Sequence, residues 1–174
     1  MKRKTFITGM SGSGKTTYAL KFTKEHNIPF INFDTAFDYN KSKDYKYVKK
    51  FYDKLPKKFV IDAVPFNLGW NVFIEYLNEH LDVDLIYTVC SNPITWCFRI
   101  IDKWAFQTPP TKEYIKELLY SSFEQYAGLY YKSFSNIEGL VPYQIFDTYT
   151  NEYISKEELY KRINWSLAIY KEKK

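Results

Sequence analysis

Short runs of consecutive apolar residues alternate along the chain with longer stretches in which apolar residues recur every three or four positions. The runs are "KTFITG" (4–9), "IPFINFD" (28–34), "KFVIDAV" (58–64), "VDLIYTVCS" (83–91) and "YQIFDT" (143–148). Each reads as a strand. Between them the periodic stretches predict helices over 14–25, 36–56, 67–81, 93–106 and 112–134, with a last helix capped by Ser155 and carrying Glu158 in the capping-box position. Tyr18, Ala19 and Phe22 mark the inner face of the first helix, and Trp70, Phe73, Ile74 and Leu77 that of the third. Pro93 suits a first helical turn, and "TPPT" (108–111) breaks the chain. Strands that are continuously apolar and alternate with helices imply a parallel sheet covered on both faces. The expected architecture is a three-layer α/β fold with a five-stranded parallel sheet. No repeat or linker divides the 174 residues, so one domain is expected.

Composition adds limits. The chain is 45% apolar and 26% charged, ordinary for a globular protein, with a high aromatic share of 20%. No apolar run is long enough to cross a membrane, and the start "MKRKTFITG" lacks the apolar region of a signal peptide. A cytoplasmic location without a membrane partner is expected. Cys90 and Cys97, with two scattered histidines, make no zinc pattern and read as packing residues. The net charge is +5, yet residues 41–58 alone hold eight lysines against two aspartates. The basic excess belongs to that segment, and the rest of the chain is close to neutral.

Three of the six glycines fall within six positions, in "GMSGSGKT" (9–16). The stretch fits G-x-x-x-x-G-K-[ST] at every fixed position and stands between an apolar strand and an amphipathic helix. Such glycines let the backbone turn tightly and aim successive N–H groups at phosphate oxygens, and the helix start adds its positive dipole end. Gly9, Ser11, Gly12, Ser13, Gly14, Lys15, Thr16 and Thr17 are thus the candidate nucleotide-binding residues. Lys15 reaches the β- and γ-phosphates, and the Thr16 hydroxyl is a ligand for Mg²⁺. ATP and Mg²⁺ are the expected cofactors.

The loop and the order of elements resemble the P-loop kinases of the small nucleotide and polynucleotide type. The resemblance implies an adenylate-kinase-like sheet. It also gives roles to residues beyond the loop. Asp34 resembles the catalytic base of P-loop kinases that phosphorylate a hydroxyl, because a carboxylate there accepts the proton the attacking hydroxyl loses. The alternative is a helix cap, with Thr35 and Asp38 competing for either role. Asp62, after the apolar residues Phe59, Val60 and Ile61, resembles the Walker B aspartate that holds Mg²⁺ with Thr16; the alternative is a cap on the helix near Asn67. "DAVPF" also resembles the adenylate-kinase "DGFPR", but the glycine is missing and Phe66 stands in place of the arginine. The chain is too short for an AAA-type ATPase with its extra helical domain, and it has no N-K-x-D guanine-reading motif.

The resemblance further implies a lid, about 99–112, and an acceptor-covering segment, about 36–57. Arg99 is the candidate charge on the transferring phosphoryl. Lys103, four residues on, shares its helix face, and a solvated basic face or an ion pair with Asp102 or Glu113 is the alternative. Asp38, Lys46, Lys49 and Lys50 are the candidate acceptor-binding residues. Lysines interleaved with Tyr45, Tyr47, Phe51 and Tyr52 suit an anionic acceptor that stacks bases; equally, such a helix buries its aromatics and leaves its lysines in water. The expected function is transfer of the γ-phosphate to a hydroxyl of a nucleotide or nucleic acid, single-stranded or modified DNA or RNA included. A nucleoside monophosphate kinase and an ATPase or switch without acceptor are the alternatives.

Overall fold

The computed structural model describes residues 4–63, 70–80, 82–103, 111–139 and 142–171. Its centre is a sheet in the order β2-β3-β1-β4-β5-β6. Strands β1 (Lys4–Thr8), β2 (Phe30–Asn32), β3 (Phe59–Ala63), β4 (Val83–Val89) and β5 (Gln144–Asp147) run parallel. β6 (Glu152–Ile154) is antiparallel on the β5 edge. The sheet therefore has six strands, not the expected five. The sixth is three residues long and follows a tight turn in which Asn151 takes φ 62° and its N–H reaches the Asp147 carbonyl at 2.7 Å. So short a strand carries too few side chains for a readable alternation.

The pleat sorts alternate residues into two cores, which is the three-layer arrangement expected. Ile7, Val60, Ile86 and Phe146 face α1 (Lys15–His26), where Tyr18, Ala19 and Phe22 cover them. Phe6, Ile61, Leu85, Tyr87 and Ile145 face the other way, into the larger core. That core takes its cover from α3 (Tyr45–Asp53), α4 (Trp70–Glu79), α5 (Pro93–Lys103), α7 (Phe123–Ile137) and α8 (Lys156–Lys171). Aromatic rings fill much of it: Phe6 meets Phe59, Phe73 and Tyr76 edge-on, with centroids 5.0–5.9 Å apart. The Ser155 hydroxyl accepts from the Glu158 N–H at 3.1 Å, as a cap does.

Two predicted elements are divided. The helix expected over 36–56 begins only at Tyr45. Asp38 accepts from the Asn40 N–H and opens a separate 3₁₀ turn (Tyr39–Lys41), while Asp44 accepts from the N–H groups of Lys46 and Tyr47 and starts α3. These carboxylates satisfy helix-start donors and so set two beginnings where periodicity suggests one. The helix over 112–134 consists of α6 (Lys112–Glu117), a π-helical turn (Leu118–Ser122) and α7. The expected lid over 99–112 falls largely on 104–110, and "VPF" at 64–66 also lies outside the described residues.

Candidate active site

The loop between β1 and α1 is clamped from three sides. Gly9 takes φ 151°, and a Cβ there would stand 2.5 Å from the Thr88 carbonyl oxygen, so only glycine passes so close to β4. At Gly12 (φ 79°) a Cβ would lie 2.8 Å from the Trp96 ring. Trp96, on α5, donates its Nε1–H to the Ser11 carbonyl at 2.9 Å. Tyr130, on α7 and fully buried, accepts from the Met10 N–H at 3.3 Å and donates to the Thr88 carbonyl at 2.8 Å. Ser13 turns its hydroxyl inward to Thr88 Oγ1 at 2.9 Å, and its N–H donates to the Met10 carbonyl at 3.1 Å.

Lys15 is 8% exposed. Burial pushes its pKa down, and the like charge of Lys103 adds to this; the carboxylates of Asp62 and Asp34 pull the other way. The buried ammonium thus sits among two acids and a second lysine contributed by β3, the segment after β2, and α5. Thr16 donates to Asp62 Oδ2 at 2.6 Å, and Asp62 is buried at the carboxyl end of β3. Two hard oxygens side by side fit Mg²⁺, which keeps several waters and phosphate oxygens as its remaining ligands. Among the described residues no cluster of three His, Cys, Asp or Glu suggests another kind of metal centre.

Asp34 does not end a strand. β2 stops at Asn32, and Asp34 stands in the first turn of the four-residue α2 (Phe33–Ala36), exposed and caps nothing. Its Oδ1 accepts a hydrogen bond from the Tyr39 hydroxyl. Both competitors turn to local backbone: Thr35 Oγ1 donates to the Asn32 carbonyl at 3.1 Å, and Asp38 caps the 3₁₀ turn and pairs with Lys41 at 3.1 Å. Of the two acids in this segment, Asp34 rather than Asp38 acts on the Lys15 charge.

Among the described residues Arg99 forms no ion pair with Asp102 or Glu113. Its Nη1 donates to Thr148 Oγ1 at 2.6 Å and its Nη2 to the Thr148 carbonyl at 3.1 Å, fixing the β5–β6 turn. Thr148 Oγ1 also lies 2.7 Å from the Ser13 carbonyl, so guanidinium, turn and loop form one unit. Lys103 reaches the loop itself, 3.3 Å from Ser11 Oγ. A cavity of about 430 Å³ is lined by Lys15, Thr16, Thr17, Arg99, Lys103 and Thr148. Lys46 and Lys50 are exposed on α3, and Lys49 lies 4.0 Å from Asp53. Of the interleaved aromatics, Tyr52 is buried, and Tyr47 and Phe51 pack on the core; exposed Tyr45 donates to Glu75. The arrangement is the amphipathic helix with inward aromatics, not a stacking platform. Trp96, Thr148 and Tyr130 escape a reading of the sequence; only Thr148, at the carboxyl end of an apolar run, occupies a position that signals a site.

Residues 2–95, more than half of the chain, match the family described as AAA domain. The chain belongs to that family. The match spans the loop and β1 to β4 and ends early in α5, which corrects the exclusion of AAA membership by chain length. Solved structures agree on the fold. Shikimate kinase from Bacteroides thetaiotaomicron superposes with a TM-score of 0.56 at 15% identity, covering 98% of this chain and 99% of that one. Shikimate kinase from Acinetobacter baumannii gives 0.51 at 13% identity, covering 97% and 94%. A gluconokinase from Sinorhizobium meliloti 1021 gives 0.50 at 14%, covering 98% and 94%. No curated protein matches. This AAA domain thus has the fold of the small P-loop kinases over nearly its whole length.

Proposed function

We propose that the protein is an ATP- and Mg²⁺-dependent phosphotransferase that moves the γ-phosphate to a hydroxyl of a small acceptor. One observation carries the reading: the buried Lys15 ammonium lies in charge reach of two separate acids, Asp62 and Asp34. Asp62 is paired with Thr16 and fits the metal. That leaves Asp34, exposed and on another element, for the acceptor. The loop N–H groups and Lys15 hold the phosphates, and Lys103 adds a cation beside Ser11. Thr16 and Asp62 would hold Mg²⁺, which would supply charge neutralisation at the phosphates. The acceptor oxygen attacks the γ-phosphorus, its proton passes to Asp34, and ADP leaves with the electrons of the broken bond. Arg99, anchored to Thr148, lines the same cavity and supports the charge of that state.

Shikimate kinase and gluconokinase are among the fold neighbours, and each is named for a small hydroxyl acceptor. They favour a small hydroxyl compound. Nothing supports a nucleic-acid acceptor, since Tyr47, Phe51 and Tyr52 of α3 belong to the core and exposed Tyr45 is bonded to Glu75. Lys46, Lys49 and Lys50 then form a rim that attracts an anionic acceptor. Membership in the AAA-domain family favours a second reading, ATP hydrolysis without an acceptor. Labelled ATP offered against hydroxy acids, sugars, nucleosides and nucleoside monophosphates separates the two. A labelled product that disappears in Asp34→Asn, with ATP affinity kept, is expected. Label passing only to water in every mixture, or a product formed equally well by Asp34→Asn, would falsify the assignment.

A further inference from the structure

A carboxylate that activates a hydroxyl next to a bound γ-phosphate activates water equally well, so an acceptor kinase needs some means of keeping water from its base. In this chain a side chain already stands there. Tyr39 donates its hydroxyl to Asp34 Oδ1. A phenolic O–H on that oxygen stands in for the acceptor: it is a hydroxyl donating to the base, as an acceptor hydroxyl would before attack. The position is built. The Tyr39 ring packs edge-on against Phe33, with centroids 6.0 Å apart, and against Phe37 at 5.6 Å. Phe33 and Phe37 are themselves stacked at 4.6 Å and buried in the main core. Asp38 opens the 3₁₀ turn that carries Tyr39, its own N–H held by the Tyr47 hydroxyl at 2.8 Å. Tyr39 remains 38% exposed.

We infer that Tyr39 guards Asp34 against water and yields it only to an acceptor that displaces the phenol. This rests on Asp34 being the base. With the phenol in place, Asp34 Oδ1 is already occupied by a hydrogen-bond donor. A water molecule gains little by replacing a neutral hydroxyl of equal hydrogen-bonding strength on a preformed contact. An acceptor, held by further contacts of its own, brings binding energy that water lacks. The guard therefore discriminates between two nucleophiles of the same chemistry by what else they bind. If water does reach Asp34, its oxygen forms the new bond to the γ-phosphorus, the bond to the β–γ bridging oxygen breaks, and the proton goes to the carboxylate. The products are ADP and inorganic phosphate.

The test is acceptor-free release of phosphate from Mg²⁺-ATP. Tyr39→Phe keeps the ring and its packing and deletes only the hydroxyl. Because a hydrogen bond to a charged group is worth roughly tenfold or more in occupancy, hydrolysis is expected to rise about tenfold. ATP affinity, set by the loop, should stay unchanged. In the double variant Tyr39→Phe with Asp34→Asn the gain should vanish, which a general loosening of the segment would not do. Unchanged hydrolysis in Tyr39→Phe overturns the guard, as does a rise that survives in the double variant. So does phosphate found on Tyr39 by mass spectrometry of the wild-type protein after incubation with Mg²⁺-ATP, since the phenol would then be a nucleophile rather than a shield. Loss of acceptor phosphorylation in Asp34→Asn alongside unchanged hydrolysis in Tyr39→Phe sinks the guard alone. Retained phosphorylation in Asp34→Asn sinks the base, and the guard with it.

Discussion

Lys15 shows how one residue is tuned by its surroundings. Burial and the neighbouring Lys103 both disfavour its charged form, so its pKa lies below the ordinary 10.5. The sign for stability follows: the folded state carries a penalty at neutral pH, where the ammonium is charged, and the penalty fades as pH rises through the lowered pKa. Nucleotide phosphates reverse the balance, because a dianionic neighbour favours the ammonium and raises the pKa again. Binding ATP at alkaline pH is thus expected to take up a proton, and affinity should fall as pH climbs through the value of the free protein. Calorimetric titration in two buffers of different ionisation enthalpy measures this directly. Equal apparent enthalpies across pH 8 to about 10 would remove Lys15 from the phosphate site.

The turn from β5 to β6 illustrates the element scale. Asp147, at the end of β5, is fully buried, and Arg162 of α8 supplies its counter-charge at 3.1 Å. The same guanidinium donates to Thr150 at 2.9 Å, Glu152 at 2.9 Å and Glu158 at 2.8 Å. One side chain thus ties the strand end, the turn, the edge strand and the last helix together. Asp147 keeps hydrogen bonds from Ser91 and Tyr149 when the arginine is lost, so its charge would be stranded but not bare. Arg162→Met should cost about 3 kcal/mol, the low end for an orphaned buried ion. Urea unfolding checks it; a loss below about 1 kcal/mol would mean that Ser91 and Tyr149 suffice.

At the scale of the molecule, the lysine-rich face of α3 is separate from the fold's stability. Its aromatic side belongs to the core, while Lys46 and Lys50 project into solvent and Lys49 makes only a long, partly exposed pair. Reversing all three charges to Glu should therefore leave thermal unfolding nearly where it was, within about 0.5 kcal/mol per site. If the rim attracts an anionic acceptor, the same variant should raise the acceptor KM and flatten its dependence on salt, with ATP binding unaffected. An acceptor KM that does not move would make this face a solvated helix surface and nothing more.

The sequence alone determined the phosphate loop and the alternation of elements, and it marked Asp34 and Asp62 as candidates. Each is a local matter. A glycine spacing, an apolar run and an acid at the end of such a run are legible because backbone conformation and strand burial depend on neighbouring residues. It also weighed the inward-facing aromatics of α3, which helical spacing makes visible. Tertiary structure decided the rest. Whether Arg99 meets an acid or Thr148, 49 positions away, depends on how α5 lies against β5. That Tyr130 on α7 holds Met10, 120 positions back, follows from helix packing, which no pattern of apolar positions encodes. The sixth strand forms because a three-residue segment finds a paired edge, and the Tyr39 hydroxyl meets Asp34 because two aspartate caps fold 33–44 into separate turns. Contacts between distant segments arise from shape and packing across the whole core, and only the assembled fold contains that information.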